Sequence, residues 1–111
     1  IHYQVALQTF GDLGNVLGLV ASCSNLGELN LDRGQHEDAL MMLNRALRES
    51  EAVGEKEYRP AILVLLGQAH AFLGHAALAK DCLTEAVKLA EQTENRSALD
   101  TAQALLAKWV S

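Results

Sequence analysis

The chain has 111 residues, half of them hydrophobic and few of them aromatic, and its formal net charge is -5. This length predicts one domain with enough apolar surface to form a core without a metal or a disulfide framework. The acidic charge and the scattered basic residues argue against binding to nucleic acid or anionic membranes, because affinity for phosphates depends on Lys and Arg. No apolar run approaches the ~20 residues that span a membrane, and no signal peptide is visible, so we expect a cytoplasmic domain.

Abundant helix formers and a single proline predict an all-α fold. Gly14, Gly34, Gly54 and Gly74 are expected at junctions, because a residue that tolerates positive φ ends a helix, and Pro60 falls in a first turn. The connections are short, so neighbouring helices should be antiparallel. The hydrophobic pattern predicts six helices, at about residues 2–10, 15–31, 36–53, 57–73, 75–92 and 97–110.

Polar residues lie near several predicted helix starts, among them Asn15, Glu55 and Asn95, and Asn is a favoured cap. Cys23 and Cys82 are the only cysteines, and both fall at apolar positions of the helical pattern. Two isolated thiols fit a reducing compartment, and their places on different helices argue against a disulfide. We therefore expect both to be small buried side chains.

The sequence repeats at a spacing of 40 residues. Leu26 recurs as Leu66 and Leu106, and Gly27 recurs as Gly67. A fixed period of this size is typical of a stacked repeat architecture, in which each unit buries its apolar face against its neighbours. The incomplete end units and the absence of an initiator Met lead us to expect an excerpt of a longer protein. As a single repeat domain over residues 1–111, the chain divides into a half unit (1–14), two full units (15–54 and 55–94) and a half unit (95–111).

Within each full unit, the small and bulky residues follow a fixed order: Leu26-Gly27, Gly34, Ala39, Leu43 and Ala46, and then Leu66-Gly67, Gly74, Ala79, Leu83 and Ala86. This pattern resembles the tetratricopeptide repeat. The resemblance implies a right-handed superhelical stack of antiparallel helix pairs, and a role in binding proteins. The units are about six residues longer than the usual ~34. Lengthened units are similar to those of kinesin light chains, G-protein-signalling modulators and bacterial regulators.

The resemblance further implies that the first helices of successive units line a concave groove. Such a groove suits an extended peptide or an amphipathic helix, and Glu28 and Asp32 would favour a basic partner. Members that bind a chaperone's C-terminal carboxylate use Lys and Arg, whereas Ala21 and Ala61 hold two of those places, which argues against that function. The candidate groove residues are Ser24, Asn25, Glu28, Asp32, Val64, Gln68, Phe72 and Lys108.

Two alternatives remain open. The first is self-association, because the end helices would expose apolar residues such as Leu105, Leu106 and Trp109. In the competing outcome, Trp109 folds back as a cap and the chain stays monomeric. The second is a ligand- or peptide-sensing domain that controls an attached effector within a larger regulatory protein.

Catalytic chemistry is not expected. The chain contains no phosphate-binding loop, nucleophile elbow or dinucleotide fingerprint. The carboxylate pairs around Glu55 fall in an exposed joint, which does not suit acid–base work. His70 and His75 are five residues apart with a helix break between them, which does not place both on one helical face, so we expect no metal site. We therefore predict a non-enzymatic chain without a cofactor.

Overall fold

The computed structural model describes residues 13–110, and those residues contain helices and no β-strand. The all-α prediction is confirmed, and the bounds of the described helices agree with the expected ones to within about two residues. The predicted helix at residues 2–10 lies outside the described part of the chain. Within residues 13–110 the five helices are α1 (Leu13–Asp32), α2 (His36–Ala52), α3 (Arg59–Phe72), α4 (Ala76–Gln92) and α5 (Arg96–Val110).

The helices stack in two layers. Each helix packs on the next one along the chain, and the short turns make these neighbours antiparallel. In addition, α3 contacts both α1 and α5. We call α1, α3 and α5 the first helices and α2 and α4 the second helices. The first helices therefore lie side by side and form one surface. None of the described helices is long and apolar enough to cross a membrane.

The core repeats along the stack because the sequence does. Leu43 of α2 and Leu83 of α4 are fully buried at equivalent positions. Leu83 lies over Gly67 of α3, where a Cβ atom would come 2.7 Å from its Cγ. Leu43 lies in the same way over Gly27 of α1. The two glycines thus have like surroundings, as the repeat predicts, and each allows a second helix to approach a first helix closely.

The turns between helices share one backbone geometry. Gly34, Gly54 and Gly74 follow helix ends with φ of +76°, +71° and +82°, which confirms their predicted role. Glu94 adopts the same left-handed conformation with φ of 57° after α4. The expectation for Gly14 is wrong, because α1 already begins at Leu13 and includes it.

The turn from α2 to α3 is held by side chains. The Ser50 hydroxyl is buried and donates to the Glu55 carbonyl oxygen at 2.6 Å, while Arg59 Nε donates to Ser50 Oγ at 3.0 Å. The Glu55 carboxylate accepts backbone N–H bonds from Glu57 at 2.6 Å and from Tyr58 at 3.0 Å. These bonds occupy the residues where we expected α3 to begin, and the helix starts at Arg59 instead.

The fold also contains a side-chain cap at the start of α5 and two cysteines. Asn95 caps α5, because its Oδ1 accepts the N–H of Ala98 at 3.1 Å. Both cysteines are free; Cys23 is buried and Cys82 is half-buried. Burial raises the pKa of each thiol; Arg45 lowers the Cys23 pKa in part, whereas Asp81 adds to the rise at Cys82. Neither thiol is therefore activated as a nucleophile.

Candidate protein-interaction groove

The first helices border an open cavity of about 420 Å³. Its floor is apolar, and amide, hydroxyl and carboxylate side chains surround that floor. Residues from all three first helices contribute, together with residues just before α3 and α5. The lining residues are Ser24, Asn25, Glu28, Tyr58, Ala61, Val64, Leu65, Gln68, Asn95, Ser97, Ala98 and Thr101. We call this cavity the groove.

Five of the eight residues expected in the groove line it together: Ser24, Asn25, Glu28, Val64 and Gln68. They come from equivalent positions of α1 and α3, which the contact between these two helices brings side by side. Val64 is buried and forms part of the floor, whereas Asn25 and Glu28 are exposed and Gln68 is half-buried. The groove therefore combines an apolar base with polar groups at its rim.

Three polar side chains of the groove have no partner in the part of the chain that the structure describes. Among residues 13–110, the side chains of Asn25, Glu28 and Gln68 form no hydrogen bond, ion pair or ring contact. Each amide offers two N–H donors and one oxygen acceptor, and the carboxylate offers acceptors only. These three side chains can thus form hydrogen bonds with an incoming chain without breaking bonds of the fold.

Sequence reasoning missed the end of the groove formed by Tyr58, Asn95 and Ser97. These residues lie at or just before the starts of α3 and α5, one turn earlier than the family positions that guided the prediction. Tyr58 is 42% exposed and presents a large ring beside the polar groups. The signal that could have found them is the position of the capping residue Asn95, which places the helix start beside the groove.

Three expected groove residues lie elsewhere. Asp32 is exposed at the end of α1 and does not line the groove. Phe72 is 62% exposed and stacks on the His36 ring at 4.7 Å between centroids. Lys108 places its Nζ 5.9 Å from the centroid of the Trp109 ring. An aromatic cluster therefore lies at the C-terminal ends of the first helices. Its rings contact each other and do not line the groove.

Trp109 belongs to this cluster, with its ring edge toward Phe72 at 6.3 Å between centroids. Both rings border a small apolar cavity of about 230 Å³ next to Leu83 and Lys80. Leu105 and Leu106 are half-buried against the core. Self-association through Leu105, Leu106 and Trp109 remains a prediction.

His70 and His75 do not share a helical face, yet the turn between α3 and α4 brings their rings together. Their Nδ1 atoms are 3.0 Å apart, so one ring donates an N–H to the other. The turn after α3 folds the chain back, and the N–H of His75 donates to the carbonyl of His70 at 2.8 Å. In the described residues no third His, Cys, Asp or Glu joins the pair in a metal-binding group.

The stacked helix pairs and the repeated Gly–Leu contact define a helical repeat module. A family model for the tetratricopeptide repeat matches residues 16–92. The chain therefore belongs to the tetratricopeptide repeat family, whose repeats generally mediate protein–protein interactions and are typically not catalytic. No curated protein and no solved structure matches the chain significantly. Membership of the lengthened-unit group stays a prediction.

Proposed function

We propose that the groove binds an extended peptide or an amphipathic helix of a partner protein. The observation that carries this proposal is the set of unengaged Asn25, Glu28 and Gln68 side chains above the apolar floor at Val64. Apolar side chains of the partner would bury against the floor, while the amides bond to its backbone. The apolar floor would then provide most of the affinity, and the amides would fix the orientation of the bound peptide.

The charge of the groove favours a basic partner. Glu28 lines the groove and has no cationic neighbour bound to it within the described residues, and Asp32 lies one turn further along α1. Lys or Arg on a partner would be attracted there, and acidic partners would be repelled. Glu28→Gln should therefore weaken binding of basic peptides and reduce the dependence of their affinity on salt.

The test begins with peptides selected from a random phage-displayed library, measured by fluorescence anisotropy. Asn25→Ala with Gln68→Ala removes two hydrogen-bonding side chains, which should weaken binding by about 2 kcal/mol, or roughly 30-fold. The matched control is Asn44→Ala with Gln92→Ala, which removes the same groups from exposed positions of the second helices. Equal binding by the groove variant and the control would place the peptide elsewhere.

A second candidate function is self-association through α5. Ala107 holds the repeat position of Gly27 and Gly67, onto which Leu43 and Leu83 pack, yet Ala107 is exposed. We propose that a helix of a second copy covers this face. Light scattering at about 100 µM should then give a mass above that of the monomer, and the mass should fall with Trp109→Ser. A monomeric mass at that concentration would refute self-association, and the groove variants should leave the mass unchanged.

A further inference from the structure

The turn between α3 and α4 brings two imidazole rings together at the surface. His70 Nδ1 and His75 Nδ1 are 3.0 Å apart, and the ring centroids are 5.3 Å apart. Gly74 has φ of +82° and the His75 N–H donates to the His70 carbonyl, so the backbone itself places residue 75 over residue 70. The approach of the rings therefore follows from a fixed turn and not from helical periodicity.

This separation matches that of two ligands on one metal ion. Nitrogens bonded to a metal at about 2.0–2.1 Å lie about 2.9 Å apart at a right angle and about 3.3 Å apart at a tetrahedral angle. The observed 3.0 Å is close to the right-angle value. Square-planar and octahedral ions such as Ni²⁺ and Cu²⁺ use that angle, and imidazole is a ligand they prefer.

We propose that His70 and His75 form a bidentate site for a divalent transition-metal ion, with Cu²⁺ and Ni²⁺ preferred over Zn²⁺. The ring that donates the hydrogen bond moves its proton from Nδ1 to Nε2, and the rings turn so that both Nδ1 lone pairs point to the ion. Burial, and then the neighbouring His75, also lower the pKa of His70 below the usual histidine value. Because no third protein ligand of the described residues joins the pair, water completes the coordination. The site is independent of the peptide-binding groove.

The first unit supplies a matched control for this turn. Asn30 and Gln35 occupy the positions of His70 and His75, the Gln35 N–H donates to the Asn30 carbonyl at 2.8 Å, and Gly34 has φ of +76°. The change His70→Asn with His75→Gln therefore installs residues with which the chain already builds the same turn. The reverse change, Asn30→His with Gln35→His, should create a second site.

The experiment is a calorimetric titration with Ni²⁺ at pH 7.5, with every chain carrying His2→Gln so that this histidine does not contribute. Ni²⁺ is used in place of redox-active Cu²⁺ because Cys82 is only half-buried. The chain with the native turn should bind one Ni²⁺ ion. His70→Asn with His75→Gln should lose at least tenfold in affinity, since even an outer-shell change costs about 10–100-fold. The chain with histidines in both turns should bind two ions.

Three results would overturn the proposal. The first is that the chain with the native turn does not bind Ni²⁺ at about 1 mM, a concentration far above the dissociation constant expected of a preformed imidazole pair. Another is unchanged binding after His70→Asn with His75→Gln. The third is that the native turn binds Ni²⁺ but Asn30→His with Gln35→His adds no second site. The backbone geometry that the two turns share would then not explain why the histidine pair binds metal.

Discussion

Gly67→Ala tests the close approach of α3 and α4 on which the stack depends. A Cβ atom at this position would lie 2.7 Å from Leu83 Cγ, 2.8 Å from Leu83 Cδ2 and 3.4 Å from the Ala79 carbonyl oxygen. Overpacking of this kind costs about 1–3 kcal/mol. Replacing a helical glycine by alanine returns about 1 kcal/mol in helix propensity. The free energy of unfolding should therefore fall by about 1 kcal/mol.

The cause can be isolated by removing the side chain that would collide. Leu83→Ala alone should cost about 2–5 kcal/mol, because it leaves a cavity in the core. In that background Gly67→Ala meets no clash, so it should stabilise the chain by its propensity of about 1 kcal/mol. The effect of one substitution thus changes sign with its neighbour, and the coupling between the two should be about 2 kcal/mol.

Urea denaturation followed by far-ultraviolet circular dichroism measures all four chains of this cycle. Ala104→Gly, at an exposed position of α5, measures the propensity difference without a clash. If Gly67→Ala stabilises the native background as much as the Leu83→Ala background, the helices are not in tight contact at this glycine.

Ser50→Ala should lower the free energy of unfolding by about 1–2 kcal/mol, measured by urea denaturation, because the buried hydroxyl bridges the turn after α2. The methyl group itself fits, since Ala90 is buried at the equivalent position. Glu94→Gly should raise the free energy of unfolding by about 0.5–1 kcal/mol, because it removes a side chain from a left-handed conformation with φ of 57°. A loss of stability would contradict the strain at this residue. The lowered pKa of His70 means that the unfolded chain binds more protons, so stability is present above the ordinary histidine pKa and is lost as pH falls below it. Melting curves at pH 7 and pH 5 should show this loss, and His70→Asn with His75→Gln should reduce it.

The repeat made much of the fold predictable from the sequence. Gly27 and Gly67 recur with the same spacing as Leu43 and Leu83. A Gly that faces a Leu on the neighbouring helix indicates that the two helices approach closely. Helical periodicity located the helices for a similar reason, because each must bury one face. Gly14 was misjudged because the equivalent glycine, Gly54, does end a helix, whereas α1 continues through Gly14.

The candidate groove was predictable only in part. Asn25 and Gln68 occupy equivalent positions on α1 and α3, so any side-by-side arrangement of these helices brings them together. Tyr58 lines the groove because α3 starts beside it, and the Glu55 carboxylate holds this start by accepting the Tyr58 N–H at 3.0 Å. Phe72 turns toward His36 because of a ring contact between different elements, and a single sequence carries no signal for that contact.

The turns differ in whether the residue before the next helix caps that helix with its side chain. Glu55 and Asn95 accept backbone N–H groups at the entries to α3 and α5, whereas Gln35 and His75, at the entries to α2 and α4, form no side-chain cap. Glu55→Ala and Asn95→Ala should therefore each cost about 1 kcal/mol in urea denaturation, and Gln35→Ala should cost only a few tenths. If Gln35→Ala costs as much as Asn95→Ala, the distinction fails. Because His75 is not needed as a cap, it can leave its hydrogen bond with His70 and turn its lone pair to a metal ion without loss of the helix that follows.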